Sequence, residues 1–303
     1  MSTDIIHPVG SHPEWNESFY FNFYDRENEI FAFMRIGLKP NRNEKNVFCC
    51  FLLPDGSLVG MKDNEPMANS ALKAKGLSFV KILPEKKWAL NFNGYLARLG
   101  GPKPDPVKVS FSIGFECVNK VFNYRECVSG IKEQISQSVA SEHLEQFGKV
   151  TGALSIGGSE YLVKGMGERD HSWGVRDWNA PKMWVWLTCQ FSEEYALNVT
   201  KLVVPEGEVD AGFIHLKGRN VPLVKAEIQT EFAEAGPPKS LRMVLTDKEG
   251  GSHKVTAMAV RQAALPFQSE DGKRLSVLYE PLARYEYEGM VGYGVAEYLV
   301  KKF

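Results

Sequence analysis

Between Lys164 and Trp178 the chain reads KGMGERDHSWGVRDW, which gathers three carboxylates, two guanidinium groups, an imidazole and two indoles into one short stretch. Each of these groups is costly to bury unless another satisfies it, so their density points to a polar cluster fixed within an apolar wall. Asp170 beside His171 is the obvious acid–base pair. Imidazole titrates near neutrality, and an adjacent carboxylate fixes its tautomer or raises its pKa. On an extended chain, however, neighbours in sequence face opposite sides: Arg169, His171 and Trp173 share one, Asp170 and Ser172 the other. Arg176 and Asp177 have the types of a structural ion pair. Two readings stay open: an acid–base site, or a buried latch between two β-domains in which guanidinium–carboxylate pairs replace lost water.

Other chemistries fit less well. Asp170, His171 and Ser172 are consecutive, whereas the members of a hydrolase triad come together from separate positions, and no GxSxG elbow occurs. His143 with Glu145, His171 with Asp170, and the distant His215 and His253 lack compact metal-ligand spacing, so no metal is expected. Gly165, Gly167 and Gly174 sit in no βαβ unit and make no nucleotide loop. Trp184 and Trp186 flank Val185 and either line a cavity with Trp173 or Trp178 or pack as ordinary core. If they line a cavity, their faces suit an apolar polyene-like or steroid-like ligand and stabilise developing positive charge. That matches protonation of an alkene, with Asp170 or His171 as the acid and Glu297 as a charge-stabilising group.

The elements that must position these residues are strands. Trp15–Asp25 (WNESFYFNFYD) alternates Phe19, Phe21 and Phe23 with Tyr20, Asn22 and Tyr24, and EIFAFMRIGL repeats the pattern after a DREN turn, predicting a hairpin. Short alternating runs bounded by Pro, Gly, Asp or Asn continue to Phe115. The one change of period lies between Glu126 and Gly148, where Ile131, Ile135 and Val139 recur every four residues and predict a short helix or irregular crossover. KVTGALSI, the Gly157–Gly158 turn and YLVK then form a hairpin that delivers the motif at a strand end. The second half is again all strand, with late runs over Leu275–Glu280 and Leu282–Val300, and with Gly289, Gly292 and Gly294 where a strand bends or packs closely. Each half has the number of strands in which a small antiparallel barrel closes and can hold one ligand. We place the domain boundary between residues 165 and 166, giving β-domains 1–165 and 166–303.

Charge is balanced, 36 Lys plus Arg against 37 Asp plus Glu, with no basic block to track a phosphate backbone, so nucleic acid is excluded as a partner. No run approaches the apolar length that spans a bilayer and no secretory leader is apparent, so a soluble, cytoplasmic protein is expected. The five cysteines are odd in number and without CxxC spacing, and read as reduced core thiols.

HLEQFGKVTG (His143–Gly152), the short hairpin, GERDHSWGVRDW (Gly167–Trp178) and the WVW strand together resemble the AttH-like and carotenoid 1,2-hydratase (hydroxyneurosporene synthase) family of the calycin superfamily. WNESFYFNFYD with RIGLKPN is similar to one branch related to it. The resemblance implies two lipocalin-like antiparallel β-barrels packed side by side, with a short helix or crossover between them and the signature near their junction. It also implies addition of water to, or cyclisation of, isoprenoid and other hydrophobic substrates without a redox cofactor. Carried over residue by residue, it marks Asp170 and His171 as catalytic, with Arg169, Trp173, Arg176, Asp177 and Trp178 in support and Glu145, Gln146 and Glu297 as further candidates. The expected function is thus a cofactor-independent hydratase, lyase, isomerase or cyclase acting on a lipid-like partner. The alternatives are a non-catalytic carrier of apolar molecules or a scaffold for a biosynthetic complex, and a homodimer is one of the oligomeric states left open.

Overall fold

Period-two alternation becomes strand almost throughout the chain. The structure is a computed structural model and describes residues 3–100, 103–130, 133–135, 142–176, 181–234, 236–269 and 272–302. Asp177 and Trp178 lie outside these. The first elements are β1 (Trp15–Asp25), β2 (Ile30–Lys39), β3 (Glu44–Leu52), β4 (Leu58–Pro66), β5 (Lys73–Ala74), β6 (Leu77–Leu83), β7 (Lys87–Leu99) and β8 (Asp105–Cys117). The DREN turn forms as predicted: Asp25 Oδ1 accepts the N–H groups of Glu27 and Asn28 at 3.0 and 3.2 Å. After β9 (Phe122–Asn123) come the long hairpin strands β10 (Glu142–Ile156) and β11 (Ser159–Val175). The remainder is β12 (Met183–Gln190), β13 (Tyr195–Val204), β14 (Gly207–Leu216), β15 (Arg219–Phe232), β16 (Pro238–Asp247), β17 (Ser252–Gln268), β18 (Leu275–Tyr287) and β19 (Met290–Lys302).

The chain divides into two compact units, Met1–Val121 with His143–Val175, and Phe122–Glu142 with Arg176–Phe303. The position between residues 165 and 166 falls inside β11, which runs unbroken through it. In the first unit the strands follow the order β4-β3-β2-β1-β11-β10-β8-β7, and β4 also pairs with β7 through Leu58↔Leu99, Val59↔Arg98 and Gly60↔Ala97, closing the ring; β6 and β5 extend from β7. The second unit is a closed eight-stranded antiparallel barrel, β12 to β19 in sequence order.

Large aromatics fill the first ring. Phe19, Phe21 and Phe23 of β1 point inward with Trp88, Phe111 and Phe115. The barrel of the second unit packs Val185, Leu187, Val199, Leu245, Tyr285 and Tyr298. β1 pairs antiparallel with β11, matching Phe19 with His171, Phe21 with Arg169 and Phe23 with Gly167. The pairing is close at Gly167, where a Cβ would stand 1.8 Å from the Asn22 carbonyl oxygen. All eleven residues of β1 are buried, so both of its faces are withdrawn from water.

Three sequence expectations need correction. The motif is not delivered at the end of a strand; Gly167–Val175 is itself the second half of β11, because its alternation matches that of β1. The short helix or crossover expected between Glu126 and Gly148 is present, among the described residues, as a 3-10 turn at Tyr124–Glu126 capped by the Asn123 side chain and a helical stretch at 133–135, but it ends earlier than expected: from Glu142 the chain is already β10. There the period-two pattern of His143 and Glu145 against Leu144 and Gln146 overrides the four-residue spacing, whose Ile131 and Val139 lie outside the described residues. Finally, β18 continues through Pro281, and the last turn falls between Tyr287 and Met290.

Candidate functional site

The alternation along β11 places two polar clusters on opposite faces of one strand. On the inward face, Arg169 is almost wholly buried. It donates from Nε to Gln146 Oε1 at 2.8 Å and again from Nη2, pairs through Nη1 with Asp4 Oδ1 at 2.9 Å, and lies 5.6 Å over the Trp88 ring. Gln146 is held in turn, since its Nε2 donates to the carbonyls of Asn119 at 2.7 Å and Glu85 at 3.0 Å. Burial pushes the nearby Cys117 thiol up to about 11 although Arg169 opposes the rise, so it stays a thiol.

One step along the same face, Glu17 joins two imidazoles. Its Oε1 lies 2.7 Å from His7 Nδ1 and 2.9 Å from His171 Nε2, while its Oε2 accepts the His7 backbone N–H at 2.9 Å. The rings are stacked in place: His7 on Trp173 at 3.6 Å, His171 on Phe19 at 3.9 Å. Burial lowers the His171 pKa, Glu17 only partly offsetting it and Arg169 and His7 adding to it, so this imidazole is neutral at pH 7. His171 faces Glu17 through Nε2 and turns toward the core an Nδ1 that has no hydrogen-bond partner among the described residues.

On the outward face, Asp170 meets β10. His143 Nε2 contacts Asp170 Oδ2 and lies 3.1 Å from Glu145 Oε1. The side chains are 6% (His143), 0% (Glu145) and 11% (Asp170) exposed, which makes Asp170 the open end of the cluster. Burial by itself would lower the His143 pKa, but the Asp170 and Glu145 carboxylates overcome it and raise it to about 9. At neutral pH this is an imidazolium between two carboxylates.

Both clusters have the residue types of a metal site: the possible ligand atoms of His7, Glu17 and His171, and those of His143, Glu145 and Asp170, each lie within 4.8 Å of one another. Separation in the chain hid this from a reading of spacing. The first group fits hydrogen bonding better than a metal. Coordination through His171 Nε2 would put a proton on its buried Nδ1, which has no acceptor among the described residues, where ligating imidazoles need one. In the second, a metal would have to displace a firmly held proton from His143.

The other sequence candidates are dispersed. Arg176 lies 5.7 Å over the Trp184 ring in the second unit. Trp184 and Trp186 do not point into the barrel: Val185 and Leu187 do, and strand alternation turns the indoles to its outer face, with Glu297 paired across from Trp186. Sequence reasoning missed His7, Glu17 and Asp4 and weighed His143 only as a metal ligand. The signal for Glu17 was present, as a carboxylate in period with Phe19, Phe21 and Phe23 has to find a partner inside.

This architecture recurs in solved structures. The NE1406 protein of Nitrosomonas europaea, solved as a candidate AttH, matches with a TM-score of 0.63 at 9% identity over 99% of each chain. Kievitone hydratase from Nectria haematococca matches at 0.59 and 12% identity, over 99% of this chain and 95% of that one. CghA with Sch210972 matches at 0.59 and 10% identity, over 99% and 94%. At such identities the likeness is one of fold. No curated protein matches this sequence. The profile of one family, described as "Domain of unknown function (DUF7064)", covers residues 1–302, and the chain belongs to that family.

Proposed function

We propose that the protein is a cofactor-independent enzyme that performs acid–base chemistry at a double bond of a hydrophobic, isoprenoid- or lipid-like substrate. Hydration, elimination, isomerisation and cyclisation all belong to this class. The observation that carries the reading is the His143 Nε2 held between Asp170 and Glu145, with Asp170 the most open of the three. In this reading His143 passes a proton through Asp170 to an alkene carbon, and the carboxylates left behind stabilise the resulting carbocation. In hydration, water then bonds to the cationic carbon and gives up one proton, which returns through Asp170 to His143, leaving an alcohol and the starting protonation state. Arg169, His171 and Trp173 fix β11 from its other face. Support also comes from the fold shared with kievitone hydratase, whose name states a hydratase activity.

The test is incubation of purified protein with prenylated phenols and free isoprenoid alcohols in isotopically labelled water, followed by mass spectrometry of the products. Asp170→Asn is expected to lower turnover by about 100-fold or more while ligand affinity is retained, and thermal stability too once measured above pH 9, where His143 no longer carries the charge that Asp170 holds. Binding without turnover by the wild type, unchanged in Asp170→Asn, would establish a carrier instead. Loss of stability in that variant above pH 9, together with unchanged turnover, would make the cluster a latch.

A further inference from the structure

One end of the first unit carries aliphatic side chains that its own core does not use. Ile5, Ile6, Ile82 and Leu83 are between 41% and 56% exposed, the first two on the segment before β1 and the last two at the end of β6, where the chain turns into β7. Three contacts hold these two stretches side by side. The Thr3 N–H donates to Glu85 Oε1 at 2.6 Å, the Glu85 N–H donates to Asp4 Oδ2 at 2.6 Å, and Lys81 Nζ donates to the Asp4 carbonyl. The four aliphatic side chains therefore stand together, and an apolar cluster left in water on this scale marks an interaction surface.

Its setting is basic. Lys81, Lys86 and Lys87 are exposed on the same hairpin, and the ladder sets Lys87 and Lys149 on either side of Glu116. With Glu85, already engaged by Thr3, this makes four lysines beside two carboxylates, in a chain whose net charge is −1. Asp4 adds no charge at the surface, since its carboxylate is buried against Arg169.

That combination selects the partner. Protein interfaces favour aromatic residues, methionine and arginine and are poor in lysine. A bilayer containing anionic lipids does the reverse: it takes aliphatic side chains at its acyl boundary and draws lysines to its headgroups. We propose that this end of the first unit docks on an anionic membrane surface, with Ile5, Ile6, Ile82 and Leu83 entering the acyl boundary and Lys81, Lys86 and Lys87 lying against the headgroups. The docking goes beyond the acid–base reading and stands without it, because it requires no turnover.

Co-sedimentation with vesicles of equal parts phosphatidylserine and phosphatidylcholine, against vesicles of phosphatidylcholine alone, tests the proposal. The wild type is expected to bind the mixed vesicles at least about tenfold more tightly, the scale of two or three lysines near an anionic surface, and to lose that margin as salt is raised. Ile82→Ser with Leu83→Ser, and separately Ile5→Ser with Ile6→Ser, are each expected to weaken binding to the mixed vesicles by about tenfold or more at a nearly unchanged melting temperature, since each pair withdraws several methylenes from the lipid. Lys86→Gln with Lys87→Gln is expected to erase most of the preference for phosphatidylserine. Leu162 is more exposed than any of the four but sits at the far end of β1, where its carbonyl accepts from Asn28 in the β1–β2 turn, so Leu162→Ser should change nothing. Asp170→Asn should bind as the wild type does, so the docking and the acid–base reading fail separately. Absence of binding to either vesicle, binding that survives both aliphatic pairs, or an equal loss in Leu162→Ser would overturn the proposal. So would a dimer in solution that dissociates in Ile82→Ser with Leu83→Ser, which would make the patch a face for a second copy of the chain.

Discussion

Oε1 of Glu17 and Nε2 of His171 meet at 2.9 Å across 154 residues of sequence, between neighbouring strands of one sheet. Glu17→Gln removes the charge and places an amide N–H against one of two imidazole donors. It is expected to cost about 1–3 kcal/mol, the range for a buried hydrogen bond to a charged group, read as the change in urea midpoint at constant m-value.

Arg169 has the same standing at greater depth. Arg169→Met takes the guanidinium from the buried Asp4 carboxylate and strips Gln146 of two donors, so a loss of about 3–5 kcal/mol is expected. In a double-mutant cycle, Asp4→Asn combined with Arg169→Met should cost less than the sum of the two. Strict additivity would show that the pair is not coupled.

The two buried histidines should shape opposite limbs of the pH–stability curve. His143 has a folded pKa raised to about 9, so its contribution is fully present below pH 6.5 and lost as pH rises to about 9; by the conversion for 2.5 units this is about 3 kcal/mol. His171 is depressed, so its contribution is present above pH 6.5 and lost as pH falls below it. Denaturant titrations from pH 5 to 10 should show His143→Gln flattening only the alkaline limb and His171→Asn only the acid one.

Gly167→Ala tests the approach of β1 to β11. The three heavy atoms nearest its Cβ would be backbone atoms of Asn22 and Phe23, at 1.8 to 2.7 Å, so the strands must separate, and a loss above about 4 kcal/mol is expected. Gly56→Ala, with φ of 81° and open space around it, should cost only about 1–2 kcal/mol for its backbone conformation. Circular dichroism and thermal melts of the two proteins give the comparison.

The strands were legible because alternation and turn residues are local. β1 matches the predicted Trp15–Asp25, and the separation of Asp170 from Arg169 and His171 onto two faces followed from period two alone. What could not be read was which strand lies beside which. The partners of His171 are His7 and Glu17, and those of Asp170 are His143 and Glu145; only the pairing of β1 and β10 with β11 brings them together. Trp184 and Trp186 show the same limit from the other side. Alternation put them on one face, but only closure of the barrel decided that this face is the outer one.

The pairing of Ser18 with Ser172 spans 154 residues, so β1 is synthesised long before the strand that covers its free edge. At about 5–20 residues per second, a ribosome takes roughly 8–30 s to make the intervening chain. During that time SFYFNFY presents an aromatic-rich, low-charge edge of the kind that recruits foreign strands. Arrival of GERDHSWGV ends that exposure, so the stretch richest in reactive groups also serves as the last stave of its ring, and yield in the cell should track how quickly it is delivered.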